Sequence, residues 1–125
     1  MNLAPHVPDD APDVVIRTNS RGVILYVSAT CELLGYEPQD LIGQSGFDFI
    51  HPDDMTRFIQ NTSSLFNPGD TAPAPPRLHR FRCKDGSWIW MRGNPRPLAG
   101  RDGQVGEIIN FLQPVSETAA ARLFN

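Results

Sequence analysis

His51, Asp53 and Asp54 stand almost side by side in the stretch FIHPDD, residues 49–54, of a chain with only three histidines. An imidazole beside two carboxylates is what a metal site or a hydrolase uses. The same residues also suit the start of a helix. Pro52 fits the first helical position, where a missing N–H costs nothing. It biases His51 away from helical angles, which suits a cap. Asp53 and Asp54 then meet the positive end of the helix dipole. A metal would need three or four converging ligands, and no H-x-x-x-H pairing supplies them. The stretch therefore reads as the opening of a helix, with no metal assigned.

Other chemistries find less support. The sequence has no G-x-S-x-G, no visible Cys–His pairing and no Gly-rich phosphate loop. No catalytic residue is assigned, and these residues are not expected to form an enzyme. Cys31 and Cys83 sit far apart, outside any C-x-x-C pair. They read as small apolar side chains in a reducing, cytoplasmic compartment. A net charge of -3 without a basic run argues against nucleic-acid binding. No apolar run is long enough to span a bilayer, and the N-terminus does not read as a signal peptide.

The elements that hold these residues follow from pattern. With 125 residues the chain is one domain with one core. Residues 1–12, with Pro5, Pro8 and Pro12, read as a flexible tail. VVIRT (14–18) and VILYVS (23–28) are β-rich and flank the turn NSRG. Ser28 is placed to cap a short helix, ATCELLGY, that Gly35 closes. EPQDLIG (37–43) adds a single turn opened by Pro38. From Asp53 to Phe66, Met55, Phe58, Ile59, Thr62 and Phe66 give one apolar face at helical spacing. NPGDTAPAPP (67–76) is a loop. Three strands follow: RLHRFRC, SWIWMRGNPRPL and QVGEIINFLQ, joined at Asp85–Gly86 and Asp102–Gly103. The order predicts an α+β domain, a five-stranded antiparallel sheet with several short helices and one longer helix on one face. The last two strands are apolar at both parities, so the outer face, with Ile108 taken as part of it, needs a flanking segment or a partner as cover. SETAAARLF then predicts a C-terminal helix over 114–125, leading towards a possible output domain.

With these segments in this order, residues 13–113 resemble the PAS family of sensory domains. The carrying residues are NSRGVILYVSATCELLGYEPQDLIGQ, FIHPDD, RCKDGSWIWMRGNPRPL and DGQVGEIINFL. The likeness is strongest to PAS domains of bacterial sensor histidine kinases and cyclic-di-nucleotide enzymes. It implies a first strand near the centre of the sheet and a pocket between sheet and helices. It implies a signal-transduction module of a two-component system, a homodimer through its outer face. Such a module relays small-ligand or partner binding to an output domain such as a histidine kinase. A ligand-free interaction and dimerisation domain is the alternative. Many members open the C-terminal helix with Asp-x-Thr. Here Pro114–Val115–Ser116 stands in that place, so the Asp's salt bridge to the core has no counterpart, though Ser116 can still cap.

The cofactor stays unnamed. Haem-binding members resemble this fold but carry an axial His on the long helix, which has none here. His79 reads as a solvated or edge residue. Light-sensing members carry an Asn-Cys-Arg element that SGFDFIHPDD lacks, which argues against a covalent flavin; a non-covalent one stays open. Candidate ligand-binding residues are Phe47, Met55, Phe58, Ile59, Phe81, Trp90 and Asn110. The apolar six read first as core filling, since a stripe at helical spacing usually is core. Asn110 is more informative: amid IINFL it either faces solvent or offers a hydrogen bond to something bound.

Overall fold

The computed structural model describes residues 11–66, 77–100 and 102–124. The expected loop 67–76 and most of the expected tail lie outside them. Five strands run in chain order: β1 Val14–Asn19, β2 Ile24–Val27, β3 Leu78–Arg82, β4 Trp88–Ala99 and β5 Val105–Val115. They form one sheet in the order β2-β1-β5-β4-β3, every pair antiparallel. Three α-helices accompany them: α1 Pro38–Leu41, α2 Met55–Phe66 and α3 Glu117–Phe124. Short 3-10 turns at Ala29–Leu34, Gly46–Phe49 and Pro52–Asp54 complete the helical layer.

The β1–β2 turn is built by one side chain. Asn19 Oδ1 accepts the N–H groups of Arg21 at 2.9 Å and Val23 at 3.1 Å. Gly22 takes φ +82°, which only glycine adopts cheaply. Gly35 closes the first 3-10 turn at φ +86°. Ser28 does not cap that turn as expected. Its Oγ accepts the Val15 N–H at 2.9 Å instead, tying the end of β2 to β1.

Side-chain alternation sorts the sheet into two faces. Val14, Ile16, Ile89, Met91 and Leu112 turn inward into the core, which Ile24, Leu34 and Leu41 complete. Phe49 stacks on Phe81 at 5.4 Å and meets Tyr36 edge-on at 5.7 Å. Both cysteines lie in this core, and burial raises both thiols. They stay protonated and apolar. Ile108 belongs to the inner face too, at 6% exposed, so it is not an outer-face residue. Ile109 and Phe111, of the opposite parity, are the outer ones.

Two prolines sit in β4 without breaking the ladder. The Gly93 N–H donates to the Arg77 carbonyl at 2.8 Å. Two and four residues on, Pro95 and Pro97 turn their donorless nitrogens to the same side, past the end of β3.

FIHPDD closes the free edge of β3. His51 donates its N–H to the Arg80 carbonyl at 3.1 Å. Asp54 Oδ2 accepts the Arg80 N–H at 2.7 Å. Arg57 donates to the Leu78 carbonyl, and the Tyr36 hydroxyl donates to that of Arg82 at 2.8 Å. The His51 cap forms as the sequence predicts, with Nδ1 accepting the Asp53 N–H at 3.1 Å. Asp54 does more than meet a helix dipole: only 2% exposed, it also takes both Arg80 guanidinium bonds, at 2.9 and 2.7 Å.

Candidate functional site

A cavity of ≈ 90 Å³ opens between the inner face of the sheet and α2. The sheet supplies Ile16, Phe81 and Leu112; the helical layer supplies Phe47, Phe58 and Leu65. Phe47 and Phe58 meet edge-on at 5.7 Å. Phe47 holds its place against Gly22, because a Cβ there would lie 2.5 Å from its ring. Most of the wall is thus hydrocarbon, as expected of a small-molecule site.

Four of the residues singled out from sequence line this cavity: Phe47, Phe58, Phe81 and Asn110. Met55, Ile59 and Trp90 do not. Met55 packs against the core at the first turn of α2. Ile59 is 46% exposed, because the buried face of α2 runs through Phe58, Asn61, Thr62 and Leu65. Trp90 shares its parity with Arg80, which it faces across the β3–β4 pair, and lies on the outer face. There the Arg80 guanidinium sits 4.8 Å from its ring and Phe124 of α3 5.7 Å away.

The polar lining was largely missed from sequence. His79, Arg77, Asn61 and Thr18 all reach the cavity. His79 is 4% exposed and not a solvated edge residue. It lies on an edge strand, yet its parity matches Phe81, so the ring turns inward and meets Phe58 at 5.0 Å. Burial lowers its pKa to about 4, only partly offset by Asp54. The ring is neutral at pH 7, with one donor and one acceptor. Asn110 is half-buried; its Oδ1 accepts the Asn94 N–H at 3.0 Å. It has room because Gly93 faces it: a Cβ there would stand 3.3 Å from that oxygen. Among the described residues, no cluster of His, Cys, Asp and Glu could hold a metal ion.

α3 is tied back to the sheet. Ser116 Oγ accepts the Ala119 N–H at 3.1 Å, the expected cap. Phe124 lies between Trp90 and the Arg57 guanidinium, which is 4.8 Å from its ring. Arg57 also pairs with Asp54 at 3.3 Å. Aromatic and cation–π contacts thus hold the helix where Pro114 excludes an Asp.

The antiparallel sheet with helices on one face is what the segment order predicted, and the first strand beside the central β5, with a cavity under the helices, agrees with what the resemblance implied. A family profile described as the PAS fold matches residues 24–112. The chain belongs to the PAS family. A curated relative, the Period circadian protein of Drosophila pseudoobscura pseudoobscura, is 37% identical over 84 residues. That match covers 65% of this chain and 7% of the relative, so this PAS domain corresponds to a small part of that protein. Among solved structures, Drosophila melanogaster Cycle PAS-B with bound ethylene glycol superposes with a TM-score of 0.70 at 20% identity. It covers 82% of this chain and 99% of that one. A sensory box histidine kinase/response regulator from Burkholderia thailandensis gives 0.68 at 21%, covering 90% and 83%. No helix among the described residues is long and apolar enough to cross a membrane.

Proposed function

We propose that this PAS domain admits a small molecule to its inner cavity and relays occupancy to an output domain. The observation that carries the reading is the cavity itself, walled by both layers of the fold and by Ile108, Asn110 and Leu112 of β5. β5 runs on to Val115, directly before α3. A shift at the cavity wall therefore has a short rigid path to the C-terminal helix. A histidine kinase of a bacterial two-component system is the output proposed, in a cytoplasmic setting. The PAS resemblance and the likeness to the Burkholderia protein support it. A homodimer through the outer face, around Ile109 and Phe111, is part of the same proposal. The exposed or half-buried apolar side chains on that face support it.

The size of the cavity favours a second reading. Sites for drug-sized ligands span roughly 300–1,000 Å³, so ≈ 90 Å³ suits either a very small ligand or none. In the second case the domain acts by binding proteins alone. Native mass spectrometry with an absorption spectrum, on protein purified from cells, separates the two. A bound mass or a visible band establishes the ligand sensor; an apo mass that no small compound shifts favours the interaction domain. Sedimentation of the protein and of Ile109→Glu tests the dimer. A monomer at high micromolar concentration counts against it.

A further inference from the structure

The cavity is apolar over most of its wall, and its polar groups are not evenly mixed. Arg77 brings a guanidinium to the lining. Its Nη1 donates to the Asn61 carbonyl at 3.2 Å, a neutral acceptor. Among the described residues, no Asp or Glu pairs with it. Arg57 and Arg80, by contrast, both pair with Asp54. Burial lowers the Arg77 pKa, so the charge is partly desolvated. His79 stands in the same lining, 4% exposed, with its ring edge-on to that of Phe58. Asn110 spends Oδ1 on the Asn94 N–H, leaving its NH₂ donors.

A half-buried guanidinium whose acceptor among the described residues is a neutral carbonyl is costly to keep. That cost falls if an acceptor-rich group enters. Guanidinium, amide and imidazole N–H are all donors, and a carboxylate is the small group that uses several donors at once. The remaining wall, with Ile16, Phe47, Phe58 and Leu112, asks for a short hydrocarbon tail. Size sets the length. A 150 Å³ apolar cavity takes the six carbons of benzene, so ≈ 90 Å³ takes about four non-hydrogen atoms inside.

Resting on the ligand-sensor reading above, we infer that the cavity is a site for a short-chain aliphatic monocarboxylate, its carboxylate on Arg77 and Asn110 and its alkyl end among the phenylalanines. His79 adds a donor from the side. The alternative occupant of the same space is a neutral alcohol or diol, such as the ethylene glycol of the Cycle structure. A diol would leave the Arg77 charge as it is.

The test titrates sodium propionate into the isotope-labelled chain and follows the Arg77 Nε–H and Asn110 amide signals by NMR. Propionamide, 1-propanol and ethylene glycol serve as neutral comparators, and sodium chloride holds ionic strength fixed. A ligand this small is expected to bind with a Kd on the order of 1 mM. Propionate should shift both signals saturably and bind at least about tenfold tighter than propionamide, the loss expected when a charge-assisted pair becomes neutral. Arg77→Gln should erase that preference, and Arg77→Lys should keep part of it. Equal binding of propionate and the neutral probes would overturn the carboxylate assignment and leave the ligand-sensor reading standing. Propionate shifts confined to surface arginines would also overturn it. No shift from any probe at the cavity signals would sink both.

Discussion

Asp54 and Arg80 share three hydrogen bonds: the carboxylate accepts the Arg80 backbone N–H at 2.7 Å, Nε at 2.9 Å and Nη2 at 2.7 Å. One aspartate thus joins the first turn before α2 to the edge of β3. Desolvation pushes its pKa up, but the Arg80 bonds, with Arg80 and Arg57 charge, outweigh that and hold it below the usual carboxylate range.

Removing the carboxylate leaves Arg80 with a bare backbone N–H and a half-desolvated charge. Asp54→Ala is expected to cost about 3 kcal/mol, the lower end for breaking a buried pair. Urea unfolding reads this directly. A loss under about 1 kcal/mol would mean that water replaces the carboxylate and that the edge closure is not held by this residue.

Acid should weaken the fold in two stages. Unfolded histidine titrates at 6.5, whereas folded His79 titrates at about 4. Between these values the unfolded chain takes up a proton that the folded one refuses. Stability is therefore full above pH 6.5 and falls as pH drops towards 4, by about 3 kcal/mol in all. Asp54 adds its loss only lower, as pH falls from 3.8 through its depressed folded pKa. His79→Leu should flatten the upper stage and leave the lower one. An unchanged slope between pH 6.5 and 4 in that variant would refute the assignment.

Gly22 and Gly86 form a natural control pair. Both have positive φ, at +82° and +89°. A Cβ on Gly22 would collide with Phe47, while one on Gly86 meets nothing within 4 Å. Gly86→Ala should cost about 1 kcal/mol from backbone strain alone. Gly22→Ala should cost about 2 kcal/mol more from the clash, and should move the Phe47 ring signals. Equal costs would show that the ring yields freely and that Gly22 does not shape the cavity.

Phe124→Ala should free α3 without harming the sheet. Each aromatic contact of this kind contributes about 1 kcal/mol, so the loss is local. Hydrogen exchange should quicken in Glu117–Phe124 and stay slow in β5. Uniform quickening would mean instead that the helix and sheet unfold as one unit.

The strands were legible because they announced themselves by β-branched and aromatic runs and their turns by Asn or Gly; their order in the sheet was not, since pairing across the chain leaves no local signal, and only the family resemblance placed β1 near the centre. Of the seven candidate residues, four line the cavity: Phe47, Phe58, Phe81 and Asn110. The misses have physical causes. Helical spacing picks a stripe but not its centre, so Ile59 was included and Asn61, a buried polar residue, was passed over. Apolar character at both parities hid which face was inner, which put Ile108 outside and Trp90 inside. His79 could have been placed by period two alone, since Phe81 shares its face. Arg77 could not, because a charge at a strand start ordinarily signals solvent.

Among the described residues, the free edge of β3 has its carbonyls at 78, 80 and 82 and its N–H at 80 already engaged by side chains and by His51. On the opposite edge, Ile24 of β2 exchanges both its N–H and its C=O with Gln44 and Gly43. A sixth strand from another chain would find little backbone left to pair with along β3. Growth of the sheet at the β3 edge into fibrils or strand-swapped assemblies is thereby discouraged, and the proposed dimer is left to the side-chain faces.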